Sequence, residues 1–172
     1  MQQEISNNRR FLLLSFAITL VIAIIDQITK TIVLRDITSL ITNSDGSKFF
    51  IKISSFLNIV LVWNSGISFG IFNGSKFMPS ILLFVNILIS SLIAYMIIKK
   101  SNTLLDTVAL SFILGGAIGN ITDRIFRGAV IDFIDFHLKQ YHWPAFNLAD
   151  SSVFMGIFLY LVYDLFYRGR DA

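Results

Sequence analysis

Cysteine is absent from the 172 residues. Its absence excludes disulfides, thiolate nucleophiles and cysteine metal sites, and leaves the redox compartment unreadable from this residue type. Charge is scarce too: 15% of residues are Asp, Glu, Lys or Arg, and the formal net charge is +3. The positive residues stand in small flanking groups rather than one stripe, which argues against a nucleic-acid partner. Internal repeats and low-complexity tracts are also missing.

Hydrophobic residues fill this space. They make up 55% of the chain, aromatics 14%, and the mean hydropathy is +0.72. Such composition reads as an integral membrane protein of one domain, residues 1–172. A helix needs about 20 mostly apolar residues to cross the hydrocarbon core. Four segments qualify: about 11–34, 78–98, 103–121 and 149–166. The first follows Arg9 and Arg10, as a signal peptide would, but no small-x-small cleavage site follows it and its apolar character runs on to Leu34. It therefore reads as a retained helix. With four alternating helices, Arg9, Arg10, Lys99, Lys100, Arg168 and Arg170 fall on one side. By the positive-inside rule both termini are cytoplasmic, and the connections 35–77 and 122–148 face outward. In the first connection, Phe49, Ile51 and Ile53 alternate with Lys48, Lys52 and Ser54, which predicts one or two short hairpins near the membrane surface, about residues 45–72.

Several motifs compete for the chemistry. "GISFG" (Gly66–Gly70) matches the nucleophile-elbow pattern around Ser68, but the strand–helix succession that motif needs is missing, so it reads as a Gly-bracketed turn. His137 and His142 are too few for a metal site and read as solvated loop residues; no metal or other cofactor is called for. Gly115 and Gly119 form a G-x-x-x-G pair that predicts close helix packing. Asp26 and Lys30, four apart on one helical face, read as a structural ion pair.

The stretch "GNITDRIFRGAVIDFIDF" (Gly119–Phe136) gathers five charges in this oily chain. Arg127 and Asp135 read as solvated loop charges. Asp132, in "GAVIDF", and Asp150, in "FNLAD", can meet at the outer surface if the loop folds back. Two carboxylates that close share a proton and hold a water between base and acid, as aspartic proteolysis requires. The competing reading is that Asp150 only caps the fourth helix and Asp132 only pairs with Arg124 or Arg127. At the level of the whole chain, the alternative is a small membrane transporter or a scaffolding subunit with structural ion pairs. A transporter calls for ionisable groups near the bilayer midplane. Here the second helix has none, and the third and fourth carry theirs at the ends.

Four blocks, in order, resemble the lipoprotein signal peptidase (signal peptidase II) family: "DQITK" (Asp26–Lys30), "NSGISFG" (Asn64–Gly70), "GNITDRIFRGAVIDF" (Gly119–Phe133) and "FNLADSSV" (Phe146–Val153). Ile67 stands where a small residue is expected. The resemblance implies an all-α membrane protein: four transmembrane helices with a small extracytoplasmic β-cradle. It implies an aspartyl endopeptidase of the bacterial inner membrane, working at its outer face. Such enzymes remove signal peptides from prolipoproteins by cutting before a diacylglyceryl-cysteine. It implies Asp132 and Asp150 as the catalytic pair, and Asn64, Gly66, Asn120, Asp123, Arg124 and Asn147 as supporting or substrate-binding residues. Asp26 matches the family's first-helix Asp. The expected partners are prolipoprotein substrates and membrane lipid, and nothing demands an oligomer.

Overall fold

The structure is a computed structural model, and it describes residues 2–41, 50–66, 77–100 and 103–166. Ser68, Ile67, Lys48, Phe49, Arg168 and Arg170, singled out above, lie outside the described residues. Four long helices carry the fold: α1 (Gln2–Ile41), α2 (Met78–Lys100), α3 (Leu104–Arg127) and α4 (Leu148–Phe166). Each contains a stretch long and apolar enough to cross a membrane. Between them lie strands β1 (Phe50–Lys52), β2 (Leu57–Asn64), β3 (Val130–Leu138) and β4 (Tyr141–His142).

α3 is the hub. Its buried face includes Ala109, Leu110, Ile113, Gly115, Gly116 and Gly119, and it packs against the other three helices. Leu110 and Ile113 meet Ile97 of α2 in a small apolar core. Phe16, Phe84, Leu92, Phe154 and Phe158 instead point outward from α1, α2 and α4. A face so uniformly apolar is compatible with lipid rather than water. Gly115 and Gly119 do pack closely, and their neighbour is α1: a Cβ on Gly115 would sit 2.8 Å from the Ile22 Cβ. α4 approaches through Gly116 instead, where an added Cβ would lie 2.3 Å from the Ala149 carbonyl oxygen. The small-residue face of α3 thus admits two neighbours, as small residues do in membrane bundles.

α3 ends later than its hydropathy suggests. Asn120, Asp123, Arg124 and Arg127 are all helical, and Gly128 closes the helix with φ 76°, the left-handed conformation that favours glycine. Residues 130–138, read from sequence as part of an outer loop, form a strand. The run "VIDFIDF" is apolar with two acids, and its first four residues are buried. The turn at Gly128 lays it directly against β2.

The sheet is antiparallel, in the order β1-β2-β3-β4. β2 faces β3 with Asn58 opposite Asp135 and Val62 opposite Asp132, and a bulge separates Ile59 from Val62. That extra residue matters. Asn58 and Asn64 are an even number of residues apart and would share one face of a regular strand, whereas Asp132 and Asp135 would not. The bulge reconciles the two strands, so Asn58 reaches Asp135 on one face and Asn64 reaches Asp132 on the other. Phe146 forms an isolated bridge with Ile134, which brings the chain back to the start of α4.

Candidate active site

Asp132 and Asp150 reach the same place from different elements. Asp132 is buried on β3, and Asp150 sits in the first turn of α4. Asn147 joins them. Its Nδ2 donates to Asp132 Oδ1 at 2.7 Å, and its main-chain N–H donates to Asp150 Oδ2 at 3.2 Å. The Asp150 N–H returns a bond to Asn147 Oδ1 at 2.9 Å. This reciprocal pattern is a capping box with Asn147 as N-cap and Asp150 three residues on. Asp150 therefore takes part in the cap while its Oδ1 is held separately by Asn120 Nδ2, at 2.8 Å. Asp132 Oδ2 accepts from Asn64 Nδ2 at 2.9 Å, and Asn64 Oδ1 accepts the Gly66 N–H at 3.1 Å. Neither Arg124 nor Arg127 pairs with Asp132.

Both carboxylates thus accept amide hydrogen bonds on both oxygens, and each amide belongs to a predicted supporting residue. Burial is the main influence that pushes the Asp132 carboxyl up to about 6. Asp150 adds to that, while the Asn64 and Asn147 amides and the Lys30 charge oppose it.

A second layer of polar groups lies below. Lys30, fully buried, pairs with Asp26 and with Asp123, each at 2.8 Å. The ion pair read from "DQITK" is therefore half of a larger cluster. Asp26 Oδ1 also accepts the Ala149 N–H at 2.9 Å, which fastens α1 to the first turn of α4 beside Asp150. Asp123 Oδ2 accepts the Ile131 N–H at 3.2 Å, one residue before Asp132. Its Oδ1 is bonded by Arg127 and, at 3.0 Å, by Gln27. Two carboxylates and two cations balance each other, which is what makes such a buried group tolerable.

The structure differs from the sequence reading at Arg127, at Asp135 and at the two histidines. Arg127 is not a solvated loop charge: one turn after Asp123 on α3, its Nη1 bonds both Asp123 and Gln27 Oε1. Asp135 is buried and is bonded by Asn58 Nδ2 at 2.9 Å and by His142 Nδ1 at 2.8 Å. Burial alone would raise its pKa, but these two hydrogen bonds and the histidine charges outweigh it and hold the carboxyl below its ordinary value. His142 is therefore engaged, and His137 stacks on it with ring centroids 5.1 Å apart. Arg124 Nη1 donates to the Asn120 carbonyl oxygen of its own helix at 3.4 Å. Phe136 is exposed and lies between two rings, stacked on Phe56 and tilted to Phe146. Phe133 is buried. Gln27 escaped the sequence reading altogether, although its place inside "DQITK", beside two buried charges, was the available signal.

Comparison with known proteins identifies the family. The family described as Signal peptidase (SPase) II matches residues 18–166. The lipoprotein signal peptidase of Thermodesulfovibrio yellowstonii is 40% identical over 145 residues, which cover 84% of this chain and 89% of that protein. The lipoprotein signal peptidase of Rickettsia akari is 46% identical over 110 residues, 63% of this chain and 56% of the relative. A solved bacterial membrane enzyme superposes with a TM-score of 0.71 at 35% identity, covering 88% of this chain and 87% of the other. The match spans all four helices and every residue of the polar network from Asp26 to Asp150, and on that basis the chain belongs to the signal peptidase II family.

Proposed function

We propose that this chain is the aspartic endopeptidase that removes signal peptides from diacylglyceryl-modified prolipoproteins, with Asp132 and Asp150 as its catalytic pair. The observation that carries the site assignment is Asn147, which holds one carboxylate by its side chain and the other by its main chain. In this reading the two acids so held act on one water between them.

The ionised member of the pair takes a proton from that water as the oxygen attacks the scissile carbonyl. The protonated member stabilises the developing oxyanion and then donates to the leaving amine. Asn64, Asn120 and Asn147 keep the carboxylates in place, so little reorganisation is needed during reaction. Asn64 also holds the Gly66 backbone just past the end of β2. Arg124 supplies positive charge beside the pair and compensates the extra negative charge of the ionised state.

Both termini lie in the cytoplasm of the proposed arrangement, and the pair works at the outer face of the inner membrane as a monomer. The substrate's diacylglyceryl group stays in lipid and sets the depth at which its peptide bond meets the carboxylates. The test is cleavage of lipidated and unlipidated forms of one peptide by purified protein. The expected result is rapid cleavage of the lipidated form, slow or no cleavage of the other, and none with Asp132→Asn or Asp150→Asn. Normal processing by either variant, while it accumulates and inserts, overturns the assignment.

A further inference from the structure

Lys30 is more than a counter-ion. An ammonium carries three donors and no acceptor. Lys30 uses all three: Asp26 Oδ2 at 2.8 Å, Asp123 Oδ2 at 2.8 Å and Asn120 Oδ1 at 3.1 Å. The third bond leaves the ion cluster and enters the site. Because Nζ can only donate, the Asn120 atom facing it must be the oxygen. The Asn120 amide nitrogen must then face the other way, toward Asp150 Oδ1 at 2.8 Å. The same Asn120 oxygen accepts Asn147 Nδ2 at 3.2 Å, and that nitrogen also donates to Asp132.

From this geometry we infer that Lys30 is a positioning residue for the peptidase reaction: it sets the orientation of the Asn120 amide and thereby keeps a hydrogen-bond donor on Asp150. Without the ammonium, Asn147 Nδ2 is the remaining donor that holds the Asn120 oxygen in this orientation. The amide then rotates more readily, and Asp150 loses a firmly held donor. Lys30 touches neither carboxylate of the pair directly and acts through Asn120. The inference rests on Asp132 and Asp150 being the catalytic pair.

The charged groups around this unit come from four elements. Asp26 lies on the same helix as Lys30, Asp123 and Arg124 on α3, Asp132 on β3 and Asp150 on α4. A test must separate orientation from charge balance, since Lys30→Met alone leaves two carboxylates facing Arg127 only. The double variant Lys30→Met/Asp26→Asn removes one charge of each sign, and an asparagine oxygen can still accept the Ala149 N–H. It keeps the Asp123–Arg127 pair and deletes the contact to Asn120. Full-length protein is purified in detergent, and kcat and KM are measured on a lipidated peptide across pH.

The double variant is expected to accumulate, with kcat lowered about 30-fold or more and KM within about threefold of the parent. The acid limb of the kcat profile moves to higher pH, because the Lys30 charge no longer favours the ionised form of Asp132. Three results overturn the inference. One is kcat within about threefold of the parent, which makes Lys30 a counter-ion only. Another is a loss carried wholly by KM. The last is failure of the charge-balanced variant to accumulate, which makes Lys30 a requirement of the fold. Asp132→Asn is run in parallel: normal cleavage by that variant rejects the catalytic pair itself, whatever Lys30 does.

Discussion

Asp132 is held in a place that suits chemistry better than stability. Its carboxyl is pushed up to about 6, chiefly by burial, from an ordinary value of 3.8. A carboxyl raised in the folded state favours folding when protonated, so its penalty is absent below about pH 4, grows through about pH 6 and is then constant. The full penalty is at most about 3 kcal/mol. Asp132→Asn therefore has a higher unfolding midpoint than the parent at pH 8, and the gain disappears at pH 4. The gain is smaller than the full figure, about 1 kcal/mol, because an amide at this position sets one NH2 group against those of Asn64 and Asn147. Thermal unfolding at several pH values checks this; a variant no more stable than the parent at pH 8 refutes it. Asp26→Asn acts in the other direction. It strips one acid from a balanced buried cluster and weakens the bond to Ala149, so protein level falls by a larger factor than activity per folded molecule. Immunoblotting combined with activity titration separates the two; unchanged level with lost activity contradicts the structural role. At this scale the sequence was informative about acids and asparagines, because each is costly to bury and so needs a reason to be there. It was misleading about Arg127 and Asp135, because Gln27 and Asn58 come from distant segments that no local pattern links to them; Asp123, one turn before Arg127, and His142, close to Asp135 in sequence, were the local signals.

The elements explain why those partners arrive. α3 admits α1 and α4 closely because it presents glycines to them, and Gly119 shows the consequence for the ion cluster. A Cβ there would lie 2.5 Å from Asp26 Oδ2 and 3.3 Å from the Ala149 Cβ. Gly119→Ala pushes α1 off α3 at the level of the ion cluster and lowers stability by about 1–3 kcal/mol, with activity falling in step. Gly128→Ala meets no atom within 4 Å and carries only the strain of φ 76°, about 1 kcal/mol. Comparing the two unfolding midpoints tests the packing account; equal losses contradict it. The sheet gives a separate prediction. Asp135→Ala removes the acceptor of Asn58 and His142 and loosens β2, β3 and β4, costing about 1–3 kcal/mol at neutral pH. Since the Asp135 carboxyl is held below its ordinary value, that contribution is present above about pH 4 and lost as pH falls further. Hydrogen exchange of residues 130–142 is expected to quicken in the variant at pH 7, and an unchanged rate refutes the role. The helices were legible because about 20 apolar residues leave few alternatives. β3 was not, because a short apolar run after a helix reads equally well as loop; what decides it is the left-handed turn at Gly128 and the bulge in β2, both tertiary in effect.

Across the whole molecule, a membrane-spanning chain without cysteine lends itself to a direct topology test. Single cysteines at Ser55, between β1 and β2, and at Ser101, between α2 and α3, should label from opposite sides of the membrane in intact cells, with Ser55→Cys reacting from outside. Labelling of both from the same side contradicts the four-span arrangement. The site itself draws on α1, β2, α3, β3 and α4, which together span residues 26 to 150. That distribution has a consequence for the enzyme's own biosynthesis. Asp150, Asn147 and the Ala149 N–H that donates to Asp26 all arrive with the fourth helix. A nascent chain with three helices in the bilayer holds Asp132 and Asn120 but no partner acid to share a proton. With Asp132 and Asp150 as the proposed catalytic pair, peptidase activity is withheld until α4 has been made and has threaded to its full depth, so neither an arrested nor a misinserted chain becomes a stray protease in the membrane.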